Sequence, residues 1–278
     1  MHVIPRTPAR LGRVLPGVSA LLLGVVIAAG CSDATGAAEA PRVIELVVFA
    51  AASLRDALQD VETAYEARTP GVALTLATDS SATMRTQIEH GAPADVFLSA
   101  DMTNPDALAH AGLVDGAPVV FARNRLSLIT PTDNPAAISS PADLARPGVR
   151  IVAASDAVPI TAYADRLVAN LTTLPGYPPG FVAAFAANVV SREENVRSVV
   201  AKIELGEGDA AIVYRTDVTT LDDVAAIDLP EAANVETSYA ATVVATTTHA
   251  PEAHAFLDWL AGREGAAVLA RFGFLPPT

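Results

Sequence analysis

Hydroxyl-bearing residues stand at several points where strand patterns give way to helix patterns. Ser53 closes the run "VVFAAAS", Ser80 and Ser81 follow "VALTLATD", and Tyr214 ends the buried-looking run "AAIVY". A serine entering a helix can cap it, act as a nucleophile, or turn its hydroxyl to a ligand beside free backbone N–H groups. Two more junctions repeat the arrangement. In "AVPITAYADR", Pro159 sits in a first helical turn with amides after it. In "SREENVRSVVAKIELG", Asn195 reads as an N-cap, Val196, Val199, Val200 and Ile203 as a buried face, and Gly206 as the stop. In an open α/β sheet such ends gather at one crevice, where the positive ends of helix dipoles favour an anion.

Other chemistry fits less well. Ser53 lies in A-A-A-S-L rather than in the G-x-S-x-G turn that exposes a hydrolase nucleophile, and no motif supplies it with a base. His90, His110, His249 and His254 have no zinc-site spacing, and "SREEN" and "LDDV" lack the ligand alternation of a calcium loop. Neither a phosphate loop nor a dinucleotide fingerprint is present. No cofactor is expected.

The elements that must position these residues are legible from periodicity. "VIELVVFA", "VALTLAT" and "ADVFLSA" read as strands, each followed by a helical pattern: "LRDALQDVETAYE", "TMRTQIEHG" and "NPDALAHAG". Alternation of this kind implies a mainly parallel sheet flanked by helices. "RLSLITP" and "YAATVVATT" break the pattern and bracket a second alternating block containing "VRIVAAS", helices from about Thr161 and Val196, and "DAAIVY". "TTLPGYPPG" is a loop, and "PEAHAFLDWLAGREGAAVLARFG" a closing helical region. The pattern predicts two α/β lobes joined by two crossing strands, residues 43–122 with 246–278 forming the first and 123–245 the second.

Residues 1–30 read as a signal peptide: Arg6, Arg10 and Arg13 precede the apolar run "VLPGVSALLLGVVIAAG". "IAAGC" resembles a bacterial lipobox, with Cys31 as the lipidated residue, and residues 31–42 form a polar tether. Cys31 is the single cysteine, so no internal disulfide can form. The formal charge of −13, with Lys202 the one lysine, excludes the basic face that nucleic acid binding needs. The expected location is extracytoplasmic, on a lipid anchor, as a monomer.

Several of these segments together resemble the molybdate-binding proteins of bacterial ABC transporters, a family of type II periplasmic solute-binding proteins. "VFAAASL", "SSATMRTQIEHGAPADVFLSAD", "VPITAYA", "ENVR" and "IVYRTD" are similar to its motifs in order and separation, and the resemblance covers nearly all of residues 43–278. It implies a site for molybdate, and for tungstate as well, made of Ser53 and Ser81 hydroxyls, Ile160 and Val196 backbone N–H groups and the Tyr214 phenol. It further implies lobe closure without covalent chemistry, and delivery to an ABC membrane permease.

A fully ionised tetrahedral oxyanion offers only acceptors, so neutral donors can satisfy it without a buried Lys or Arg. Sulfate or phosphate receptors share the same logic and are the nearest alternative; a secreted serine hydrolase and a purely structural lipoprotein are more distant ones. Three residues depart from the family pattern. Asp79 is expected to face solvent or cap a local turn rather than the anion, Ala82 replaces a serine or glycine, and Arg215 is expected at the crevice rim.

Overall fold

The first apolar run is strand β1 (Ile44–Ala51), and its last four residues are all buried, as a strand covered by helices on both faces must be. In the computed structural model, which describes residues 43–219 and 221–277, a 3-10 turn over Ala52–Leu54 leads β1 into helix α1 (Arg55–Arg68). There follow β2 (Val72–Asp79), α2 (Ser81–Glu89), β3 (Val96–Ser99), α3 (Thr103–His110) and β4 (Val114–Asn124). Strand β5 (Leu126–Pro131) opens the second lobe. It continues through β6 (Ile151–Ala154), α4 (Pro159–Leu171), α5 (Phe181–Ala187), β7 (Val189–Glu193), α6 (Val196–Glu204), β8 (Ala211–Tyr214) and β9 (Val224–Ile227). The chain returns through β10 (Thr237–Val244) and ends in α7 (Ala250–Ala261) and α8 (Arg263–Ala270).

The first sheet has the order β2-β1-β3-β10-β4. Its β1–β2 and β1–β3 pairs are parallel, whereas β10 runs antiparallel to both β3 and β4. In the second lobe β5 lies antiparallel between β8 and β9, β6 pairs in parallel with β7, and a parallel bridge from Ile151 to Ala210 joins the two groups. Antiparallel pairing thus enters where the crossing strands insert. Those strands also move the boundary: β4 reaches Asn124, one residue before β5, and β10 rejoins the first sheet at Thr237 rather than after residue 245.

The first lobe is closed by the chain's own end. Ala57, Leu58, Val61 and Tyr65, one stripe of α1 at helical spacing, are buried. Tyr65 meets Phe256 edge-on at 4.9 Å and Trp259 at 5.1 Å, so α7 and α1 share a core. Gly262 divides the closing region into two helices, and Gly265 lets α8 approach α7: a Cβ there would lie 2.4 Å from the Leu260 carbonyl oxygen. Leu275 then pairs with Arg123 on β4. None of the described helices is long and apolar enough to cross a membrane. The signal and tether segments, with Cys31, lie outside the described residues.

Candidate functional site

Ala51, Ala52, Ser53, Ser80, Ser81 and Ala100 from the first lobe face Val158, Pro159, Val196 and Tyr214 from the second across one small cavity. Its walls are the C-terminal ends of β1, β2, β3 and β8 and the N-terminal turns of α2, α4 and α6. Parallel topology puts the strand ends on one edge, and each following helix begins there with its N–H groups unpaired within the helix. No charged side chain lines the cavity.

Each donor is prepared by a local device. Ser80 is the N-cap of α2, its hydroxyl accepting from the Thr83 N–H at 3.1 Å. That leaves Ser81, the first helical residue, to face the cavity while 1% exposed. The Ser81 hydroxyl oxygen accepts from the Ala100 N–H at 3.0 Å. Its own proton is therefore free to be given away. Asn195 caps α6 by accepting from the Ser198 N–H at 3.0 Å, which places Val196 at the open first turn. Pro159 begins α4 without an N–H to lose, with Ile160 next in that turn.

Tyr214 carries the strongest signal. Its side chain is 1% exposed, and its hydroxyl has no hydrogen-bond partner among the described residues. A buried hydroxyl without a partner costs roughly 1–3 kcal/mol, so its placement calls for a ligand acceptor. The ring is held edge-on against Tyr239 at 5.5 Å and Tyr163 at 6.4 Å, and its own N–H donates to Asp217 Oδ2 at 3.0 Å. Burial raises the phenol pKa of Tyr214 and Tyr239 well above the ordinary value, and that of Tyr163 to about 12. All three remain protonated donors near neutral pH.

Four of the five expected residues, Ser53, Ser81, Val196 and Tyr214, thus line one cavity. Ile160 does not line it: its side chain packs beneath α4 with Ile151, Phe185 and Ile212, and only its backbone is at the helix end. Of the three roles open to Ser53, capping is not the one it takes. It sits inside the 3-10 turn, and its hydroxyl meets Tyr239 Oη at 2.9 Å. Ala51, Ala52, Ser80, Ala100, Val158 and Pro159 complete the lining; Ser80 and Pro159 stand at junctions marked in the sequence, whereas Ala100 and Val158 were not anticipated.

The departures have definite places. Asp79 does not line the cavity; Oδ1 accepts from the Ser80 N–H at 2.7 Å and, across the lobes, from Asn195 Nδ2 at 3.0 Å. A second cross-lobe contact joins Arg197 on α6 to Asp56 on α1 at 3.0 Å. Ala82 lines the neighbouring opening with Asp79 and Glu194. Arg215 points into a separate groove beside Arg125 and Glu231. His249 lies 3.6 Å from Asp95 and His254 3.0 Å from Asp115, both away from Ser53. No cluster of three or more metal-ligating side chains occurs among the described residues.

Residues 46–275 match the family model for bacterial extracellular solute-binding proteins. The molybdate-binding protein ModA of Mycobacterium tuberculosis is 34% identical over 263 residues, covering 94% of this chain and 96% of that protein. Among solved structures, the periplasmic molybdate-binding protein of Azotobacter vinelandii superposes with a TM-score of 0.71 at 21% identity, over 84% of this chain and 100% of that one. The sulfate-binding protein SubI of Mycobacterium tuberculosis superposes with a TM-score of 0.74, also at 21% identity, over 84% of this chain and 87% of that one.

Proposed function

The chain belongs to the bacterial extracellular solute-binding proteins, and from that premise we propose that it captures molybdate, with tungstate as an equivalent cargo, and delivers it to an ABC import permease. The observation that carries this reading is the buried, partnerless Tyr214 hydroxyl facing Ser53, Ser81 and the first turn of α6 across a cavity without charged walls. Ser53, Ser81 and Tyr214 give hydroxyl protons, and Ile160 and Val196 give backbone N–H groups. A dianion receives acceptor-matched bonds on several sides and needs no counter-charge.

Because the donors come from both lobes, the anion bridges them and favours closure through contacts absent when the lobes part. Asp79–Asn195 and Asp56–Arg197 add protein contacts to the same state. The reading extends to a monomer held at the membrane by lipid on Cys31, supported by the lipobox-like "IAAGC". Hydrolysis by Ser53 is disfavoured: its hydroxyl partner is a phenol that burial keeps protonated, which is no general base.

The likeness to molybdate- and sulfate-binding structures fixes the fold, not the ion. Selection against sulfate rests on size, since a shorter ion stretches or loses bonds costing about 1–3 kcal/mol each. The test is calorimetry on residues 42–278 with molybdate, tungstate, sulfate and phosphate. One-to-one molybdate binding that excess sulfate does not displace is expected. A folded, ligand-free sample that ignores molybdate refutes the assignment.

A further inference from the structure

We propose that Asn124 and Tyr239 are positioning residues that fix the direction of the Ser53 hydroxyl, presenting its proton rather than its lone pairs to the anion. This inference rests on the reading of the cavity above. It follows from counting protons along one buried chain of contacts.

Asn124, fully buried at the end of β4, accepts from the Arg125 N–H through Oδ1 at 2.9 Å. That bond fixes which way the amide faces, so Nδ2 points the other way. Its two protons find Thr216 Oγ1 at 2.8 Å and Tyr239 Oη at 3.3 Å. Tyr239 Oη therefore accepts from Asn124, and its single proton has Ser53 Oγ, at 2.9 Å, as its acceptor. Ser53 is left with its own proton and no protein acceptor for it. The cavity is on that side.

The reverse arrangement, Ser53 donating to Tyr239, would strand the Tyr239 proton in a buried site and aim serine lone pairs at a dianion. Both costs oppose it. Burial keeps the Tyr239 phenol protonated. Ser81 is set by the same logic with a simpler donor, the Ala100 N–H. Both serine hydroxyls are thus held as donors before any ligand arrives.

A donor that cannot turn is also a filter. Hydrogen phosphate carries a proton that needs an acceptor in the site, and a freely rotating serine could provide one. With Tyr239 occupying one of its two lone pairs and fixing where its proton points, Ser53 is less able to do so. The relay is thereby a determinant of selectivity between fully ionised and protonated oxyanions. Its far end is Thr216, two residues beyond Tyr214, so the turn carrying the Tyr214 donor and the Ser53 donor share one network.

The experiment is a double-mutant cycle of Tyr239→Phe and Ser53→Ala, read by calorimetry with molybdate and by phosphate competition. Tyr239→Phe keeps the ring contacts with Tyr214, Phe121 and Phe274. Alone it should weaken molybdate roughly two- to tenfold, as expected for one hydrogen bond, and narrow the molybdate-to-phosphate ratio. In the Ser53→Ala background both effects should vanish. Equal losses in the two backgrounds, or an unchanged phosphate ratio, overturn the relay.

Should Tyr239→Phe fail to fold, Asn124→Asp carries the same cycle, because an added acceptor draws the Tyr239 proton away from Ser53. The wild-type titration against molybdate, tungstate and sulfate separately reads the proposed function. Whichever of these ions binds then serves in the cycle, and a wild type that binds none overturns both.

Discussion

Tyr214→Phe makes affinity and stability move in opposite directions, and the structure supplies both magnitudes. The hydroxyl is buried and partnerless in the closed protein. Removing it costs the ligand-free fold no hydrogen bond and relieves a desolvated polar group. Ligand-free stability should hold or rise, by at most the roughly 1–3 kcal/mol of an unsatisfied group. For a domain of this size that is a melting temperature unchanged or higher by several degrees, at about 2–4 °C per kcal/mol. With the dianion bound, the same deletion removes a hydrogen bond to a charged acceptor, worth about 1.5–3 kcal/mol. Molybdate affinity should fall roughly 10- to 150-fold, at 1.4 kcal/mol per tenfold. Calorimetry gives the first quantity and a ligand-free thermal melt the second. A variant that melts well below wild type while binding molybdate equally well refutes the reasoning on both counts, because the hydroxyl then serves the fold and not the anion.

Three other perturbations separate backbone, charge and packing. Ile160→Val should cost about 0.5–1.5 kcal/mol of stability but shift molybdate affinity by less than about threefold, since only the backbone is assigned to the anion; a larger affinity loss in calorimetry would assign the side chain a role. Asp217, buried so that its carboxyl pKa rises from 3.8 to about 8, keeps its proton in the folded state over a range where the unfolded chain releases it. Stability should therefore fall as pH climbs from about 4 to 8, and Asp217→Asn should flatten the melting temperature over that window; parallel profiles would contradict the assignment. Gly265→Ala should lose about 1–3 kcal/mol by overpacking, because its Cβ meets the Leu260 backbone at 2.4 Å, with molybdate affinity unchanged; a melt matching wild type would show that α8 can shift freely.

Strands rich in continuous apolar residues were readable from sequence, and so were helices with clear stops. Gly91 and Gly206 do end α2 and α6 in the left-handed region, and Asn195 does cap α6. Strands β4, β7 and β9 were missed for physical reasons. The first half of β4 is largely exposed and contains Gly116 and Pro118, tolerable on the sheet edge it occupies, so its periodicity is broken. Strand β7 is never fully buried and ends in two charged residues, and β9, though apolar, has four residues of which one is buried, so neither stands out as a strand. In the site, the strand-to-helix serines carried a local signal. Tyr239 and Asn124 carried none: Tyr239 reaches Ser53 across 186 positions of sequence, and only the crossing strands bring them together.

The position of β10 has a consequence for how the molecule is made. Strands β3 and β4 are consecutive in synthesis, yet in the sheet they are separated by β10, which emerges more than a hundred residues later. Until Thr237–Val244 arrive, β4 has no place in its sheet, and α7, which seals Tyr65, has yet to appear. Long-range pairing of this kind delays folding until its last partner is available. The first sheet is thereby left incomplete, by strand order alone, until most of the chain has been made.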